Sequence, residues 1–349
     1  MLWSHAGPLL PDTWPNVLSA NWFRPGFWGV TIFFAISGFL IIGQLLDVVM
    51  DRRQETIKVF VLRRWFRTVP TYWILLGLFS CTGFVVWFGW RSLLLNALFI
   101  QGPMIGIPVL LPVSWSLVIE EWSYLLYAVF AALLLFCRRR YQLPRSLMER
   151  SFLVLLLFLP CLSGVLRWSV MDQGASVQMI KQGLFSQIDA LSYGGLLAWW
   201  MRRSPENFDR LARSGNVVLP ILIIVICGVS TSVPDLFRNV LDPLQEASRL
   251  WVAFGFYPTV GFLASALIVS SWKFRYSFLP VSMRRAFREL SRCSYSVYLL
   301  HMPLASLLMQ FNMPIVLRLI TYFLGSIGIG SLCWQCLERP FMRLRTKVC

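Results

Sequence analysis

The sequence predicts an all-α membrane protein, a bundle of helices crossing a bilayer, and three observations carry that prediction. Apolar residues come in blocks near twenty long, the length a spanning helix needs. Hydrophobic side chains make up 57% of the 349 residues and charged ones only 14%, where a soluble domain carries about 25%. Most of the 32 basic residues fall in short connections between apolar blocks, and in alternate connections, as orientation signals do. The alternation expected of membrane β-barrel strands is absent.

Taken in order, residues 1–26 are short and mixed, with Pro8, Pro11, Pro15 and Pro25, and hold no complete spanning helix. Nine apolar spans follow, at 27–50, 68–89, 114–137, 151–170, 186–201, 215–232, 250–272, 292–312 and 315–337. The connection after the first span carries Arg52, Arg53, Lys58, Arg63, Arg64 and Arg67. Arg138, Arg139, Arg140, Arg145 and Arg150 come two connections later, then Arg202, Arg203, Arg210 and Arg213. Lys273 to Arg292 and the tail from Arg339 to Lys347 complete the set. The positive-inside rule makes these regions cytoplasmic, with the C-terminus inside. The segment Arg91–Gln101 is too short to span and is expected at the interface or re-entering. No internal repeat or second soluble domain is visible, so residues 1–349 read as one transmembrane domain.

The net charge of +16 would suggest nucleic acid in a soluble protein. Here its placement points to topology and membrane lipids, and to no nucleic acid. Cys333 and Cys336 form a C-x-x-C inside an apolar block and read as packing residues. Metal-ligand clusters, glycine-rich phosphate loops and G-x-S-x-G are absent.

The chemistry has few candidates. The run from Ser114 to Tyr127 carries two adjacent carboxylates inside an apolar block. A carboxylate at the bilayer centre costs roughly 2.5–3.5 kcal/mol on insertion scales. At helical spacing Ser116, Glu120, Ser123, Tyr124 and Tyr127 share one face, and Glu121 falls beside it. Glu120 is therefore the better site candidate, against a reading in which it only bonds neighbouring helices. Asp189 opens its span toward the outer side and reads either as a cavity carboxylate or as a helix-start acid. Asp47 ends its helix at the inner side and reads as solvated or paired with Arg52. Of the two histidines, His301 lies ten residues past the inner end of its span, ~15 Å deep. It shares a face with Ser294 and Tyr298. On position alone His5 is an exposed tail residue, although histidine suits general-base work near neutral pH. Arg64 and Arg67 are neighbours on a helix at the inner mouth. Paired arginines hold phosphate, though these also fit topology and lipid contacts.

Six blocks of this sequence resemble the membrane-bound acyltransferase 3 family, in order. They are Gly29 to Ile41 (GVTIFFAISGFLI), Arg64 to Pro70 (RWFRTVP), Trp115 to Glu121 (WSLVIEE), Ile188 to Ala190, Tyr295 to His301 (YSVYLLH) and Glu338 to Phe341 (ERPF). The resemblance implies a membrane O-acyltransferase. Its donor would be cytoplasmic acyl-CoA, acetyl-CoA in the simplest case, with no permanently bound cofactor. Its acceptor would be a hydroxyl of a carbohydrate or lipid-linked saccharide at the surface of a bacterial plasma membrane. It also implies ten helices, of which this sequence holds nine and only the last residues of the first. His5 looks like the histidine that ends that first helix. His5 would then be the general base, oriented by Glu120 or Asp189, or would form a covalent acyl-histidine. Arg64 and Arg67 would hold the phosphates of the donor. Ser37, Tyr124, Tyr298 and His301 would line the passage between. A transporter or flippase of a lipid-linked saccharide is the other reading. It would use the same carboxylates for proton coupling, but no inverted repeat supports it.

Overall fold

The computed structural model of the protein describes residues 2–10, 26–50, 56–81, 85–102, 105–174, 177–184, 187–226, 249–273 and 279–348. Among these it has no strand, and the β pairing they show is an isolated bridge between Gly102 and Ile107. The helices are α1 (Leu2–His5), α2 (Gly26–Val49), α3 (Ile57–Phe79), α4 (Val85–Ala97), α5 (Trp115–Tyr141), α6 (Arg145–Asp172) and α7 (Val177–Gln182). Then come α8 (Ile188–Arg203), α9 (Pro205–Arg213) and α10 (Gly215–Ile226). A π turn at Trp251–Phe256 leads into α11 (Tyr257–Trp272). The chain ends with α12 (Val281–Leu308), α13 (Ile315–Cys333), a π turn at Trp334–Glu338, and α14 (Arg339–Val348).

Among the described residues five stretches are long and apolar enough to cross a membrane: Gly29–Val49, Trp115–Tyr141, Arg145–Asp172, Trp251–Trp272 and Ile315–Thr346. By this measure five of the nine expected spans qualify. The others carry more charge or are shorter. The sixth expected span runs into residues 227–232, outside the described set. Three starts differ from expectation, and α6 is one of them, beginning at Arg145 and not at residue 151. Helix α3 begins at Ile57, capped by the Thr56 hydroxyl accepting from the Val59 amide. Arg63, Arg64 and Arg67 are therefore inside the helix, which agrees with Arg64 and Arg67 as helix neighbours and moves all three out of the connection before it. Helix α12 begins at Val281 after Pro280, and its residues 281–292 are exposed. It extends ~18 Å beyond the point where burial starts, at 1.5 Å per residue.

The bundle turns apolar side chains both inward and outward. Phe33, Leu40, Val129, Phe136, Leu157 and Leu324 are all large and exposed, more apolar surface than a water-facing monomer shows. Hydrocarbon is the solvent that surface fits. Inside, α2 and α8 approach closely because they meet through glycine. A Cβ at Gly38 would strike the carbonyl oxygen of Leu191, and one at Gly194 the carbonyl of Ala35. Small residues allow this kind of close packing between membrane helices. Gly194→Leu is expected to cost roughly 1–3 kcal/mol or more, by overpacking against backbone that has nowhere to move. A lower thermal midpoint in detergent gel filtration would show it. At the basic end of the same pair Arg202 clamps Asp47 through two hydrogen bonds, Nε to Oδ1 at 2.7 Å and Nη2 to Oδ2 at 2.8 Å. Asp47 is thus tied to another helix. The sequence neighbour expected to pair with it, Arg52, lies outside the described residues.

The expected interfacial segment around Arg91–Gln101 is a short helix running into a pinned loop. Buried Asn96 donates to the carbonyls of Ser92 and Pro108 and accepts from the Leu110 amide. Gln101 donates to the Tyr72 and Ser114 hydroxyls. Trp73 and Trp122 donate their indole N–H groups to the carbonyls of Ala97 and Phe99. Irregular backbone at membrane depth is stable where protein groups satisfy it in this way.

The N-terminal turn is docked. Ala6 and Leu9 are fully buried against Ala305, Leu308 and Tyr322 of α12 and α13. Tyr322 donates to the Leu2 carbonyl, and Arg318 to the Leu9 carbonyl. His5 is accordingly half-buried and not an exposed tail residue.

Candidate active site

Helix α5 organises the site. Ser116, Glu120 and Tyr124 stand one turn apart on it, ~12 Å from first to last, and all three are buried. Glu120 Oε1 accepts from the Ser37 hydroxyl at 2.8 Å and the Tyr124 hydroxyl at 2.7 Å. Tyr124 in turn accepts from Arg64 Nη2 at 3.3 Å, with the guanidinium 4.8 Å from its ring centroid. Arg64 thus places positive charge one hydroxyl away from the carboxylate. In a low-dielectric interior that offsets part of the cost of burying it. Glu121 is also buried, and accepts from Thr68 of α3 at 2.7 Å. A narrow cleft lined by Phe60, Val61, Arg64, Trp65, Tyr124 and Leu125 reaches this group.

One turn toward the other end of α5, Ser116 meets Tyr298 of α12 at 2.5 Å. The Tyr298 hydroxyl donates to the Val113 carbonyl at 2.6 Å, so it takes its bond from the serine. The next turn of α12 carries His301, fully buried. Its Nδ1 lies 2.7 Å from the Tyr298 carbonyl and 3.2 Å from that of Val297. Its Nε2 lies 2.8 Å from His5 Nδ1, and the two rings meet edge to edge, with centroids 5.0 Å apart and planes 26° from parallel.

The structure therefore joins most of the residues singled out in the sequence into two groups along one helix face. Arg64, Tyr124, Glu120 and Ser37 form the first. Tyr298, His301 and His5 form the second, reached through Ser116. Arg67 stands apart. It is exposed one turn along α3 from Arg64, and its guanidinium makes no hydrogen bond or ion pair among the described residues.

Asp189 also stands apart, because Arg167 holds it. Arg167 Nη1 donates to Asp189 Oδ2 at 2.8 Å, and both side chains are essentially without solvent exposure. Nε and Nη2 of the same arginine reach the Ala253 carbonyl, and its guanidinium sits 4.6 Å from the Tyr257 ring centroid. Ala253 lies in the π turn before α11. Such turns break the regular backbone ladder and so expose a carbonyl. The sequence reading passed over Arg167, although a lone arginine inside an apolar run carries the same signal as Glu120. Arg167→Met should leave the Asp189 charge buried and unpaired, at a cost of about 3–5 kcal/mol. The double variant with Asp189→Leu should recover most of that in thermal melts. Glu338, buried in the second π turn, accepts from Ser296. Among the described residues no cluster of His, Cys, Asp and Glu could hold a metal ion.

An apolar-surfaced helix bundle with stretches long and apolar enough to cross a bilayer defines an integral membrane protein, and the polar line is buried inside it. The chain belongs to the acyltransferase domain family, whose sequence profile matches residues 1–335. It is 24% identical to the peptidoglycan O-acetyltransferase OatA of Listeria monocytogenes, over 93% of this chain and 53% of that protein. It is 25% identical to the putative peptidoglycan O-acetyltransferase YrhL of Bacillus subtilis, over 93% of this chain and 51% of that one. A shorter match, 33% identical over 35% of this chain and 38% of the other, is to the exopolysaccharide production protein ExoZ of Rhizobium meliloti. The chain spans about half the length, or less, of these relatives. No solved structure matches it.

Proposed function

We propose that the protein is an O-acyltransferase of the bacterial plasma membrane. It moves an acyl group, acetyl in the simplest case, from cytoplasmic acyl-CoA to a hydroxyl of an envelope carbohydrate. The observation that carries this reading is the buried polar line on α5, with an arginine at one end and a histidine pair at the other. Family membership and the O-acetyltransferase relatives support the chemistry.

In this reading Arg67, exposed at the basic end, takes a phosphate of the donor, and the cleft beside Arg64 and Trp65, here wide enough for about one water, widens to admit its acyl arm. His5 is the catalytic base. It takes the proton of the acceptor hydroxyl as that oxygen attacks the thioester carbonyl. The C–S bond breaks, and the leaving thiolate recovers the proton from His5. Glu120, held by Ser37 and Tyr124, keeps the passage polar between the two ends.

The test is transfer from labelled acetyl-CoA in membranes carrying the protein, with free thiol and ester-linked acetyl on glycan measured together. Stoichiometric thiol and ester are expected. Membranes that release neither above background would overturn the reading. Arg67→Ala should raise KM for acetyl-CoA about tenfold, the worth of one charge-assisted hydrogen bond, with kcat nearly unchanged. An unaltered KM would remove Arg67 from the donor site.

A further inference from the structure

Carbonyl oxygens only accept hydrogen bonds. His301 Nδ1 faces two of them, on Tyr298 and Val297, so it carries the ring's proton. A neutral His301 then has a bare lone pair at Nε2. The atom 2.8 Å from that lone pair, His5 Nδ1, must be the donor. Neutral His5 is thereby fixed as its Nδ1–H tautomer, with the basic lone pair at Nε2.

From this chain of bonds we infer that His301 is the positioning residue that sets the tautomer and ring plane of His5. The inference rests on the acyl-transfer reading above. It assigns His301 a task of its own, in place of lining the passage. During transfer the hydroxyl proton goes to His5 Nε2, and the resulting imidazolium keeps its Nδ1–H on His301 Nε2. No proton passes to His301, which stays neutral because its Nδ1–H remains on its own helix backbone. The arrangement does for His5 what a buried carboxylate does for the histidine of a hydrolase triad, but with a neutral acceptor. Burial suits that choice, since His301 is fully enclosed and a second carboxylate there would need its own counter-charge. The edge-to-edge hydrogen bond and the docking of Ala6 and Leu9 hold the two imidazoles in register.

The test compares side chains that keep or lose an acceptor where Nε2 stands. His301→Met keeps the bulk and removes the acceptor. It is expected to lower kcat about 100-fold, within the range of general-base effects, with KM for acetyl-CoA changed less than twofold. His301→Gln places an amide oxygen near the old Nε2 position and should recover kcat to within about tenfold of the parent. His301→Asn is one bond too short and should behave like the methionine variant. If the methionine variant does not reach the membrane folded, the Gln and Asn pair decides alone, since both are polar and differ in reach. Parent-like kcat in the methionine variant, or equal kcat in Gln and Asn, overturns the role. Loss of donor KM with kcat intact would do the same. Should the parent protein itself fail to release thiol from acetyl-CoA, the acyl-transfer reading is what falls.

Discussion

His5→Ala is expected to lower kcat for acyl transfer by roughly 10²–10⁴-fold, the range a positioned general base supplies, while the protein still inserts and folds. The fold should survive because other residues dock the N-terminal turn. Ala6 and Leu9 fill the groove between α12 and α13, and backbone carbonyls at Leu2 and Leu9 accept from Tyr322 and Arg318. The contact of His5 with His301 is a hydrogen bond between ring edges. Thiol release from acetyl-CoA and acetyl ester on glycan should fall together. If thiol release persisted while ester formation stopped, water would be replacing the acceptor, and His5 would be an acceptor-binding group. Parent-like rates of both would remove it from the mechanism.

What the sequence made legible follows from what periodicity reports. Spacing of three and four puts Ser116, Glu120 and Tyr124 on one face without any structure, and all three are buried along one line. The apolar blocks mark where helices lie, though not where they begin. Helix α3 runs eleven residues ahead of its apolar block because Arg63, Arg64 and Arg67 are good helix formers despite their charge. Partner choice is the harder quantity, since it depends on which helices become neighbours. Asp47 has an arginine five residues on in the sequence, yet Arg202 of α8 reaches it, because glycines at 38 and 194 let those two helices close. Asp189 was expected near His5, and it is Arg167, from the middle of an apolar run, that holds it. A lone histidine near a chain start carries no local sign that its turn will dock. The tautomer of His5 could be read only once the carbonyls facing His301 were in view.

Glu120→Gln separates two uses of a buried carboxylate. As helix glue, Glu120 contributes two hydrogen bonds, from Ser37 and Tyr124, and balances Arg64 through the tyrosine hydroxyl. Glutamine keeps an acceptor oxygen in place but no charge, so the bonds weaken and Arg64 loses one of its two nearby carboxylate counter-charges, Glu121 being the other. Hydrogen bonds to a charged group are worth about 1.5–3 kcal/mol each, against roughly 0.5–1.5 for neutral ones. The variant should therefore lose about 2–3 kcal/mol of stability. If glue were the whole role, kcat per folded molecule would be unchanged, and Arg64→Met added to Glu120→Gln would restore the melting point. The proposed passage predicts more. A neutral residue at the centre of the polar line would no longer balance Arg64 beside the donor's acyl arm, so kcat per folded molecule should fall roughly 100-fold. Arg64→Met would restore stability and leave activity low. Tyr124→Phe breaks the link between the two charges while keeping both. In a double-variant cycle with Glu120→Gln its effect on kcat should be strongly non-additive, by about 0.5–3 kcal/mol, because the two residues share one hydrogen-bonded chain. Simple additivity in that cycle would mean that Tyr124 and Glu120 act separately, and the polar line would then be two sites and not one.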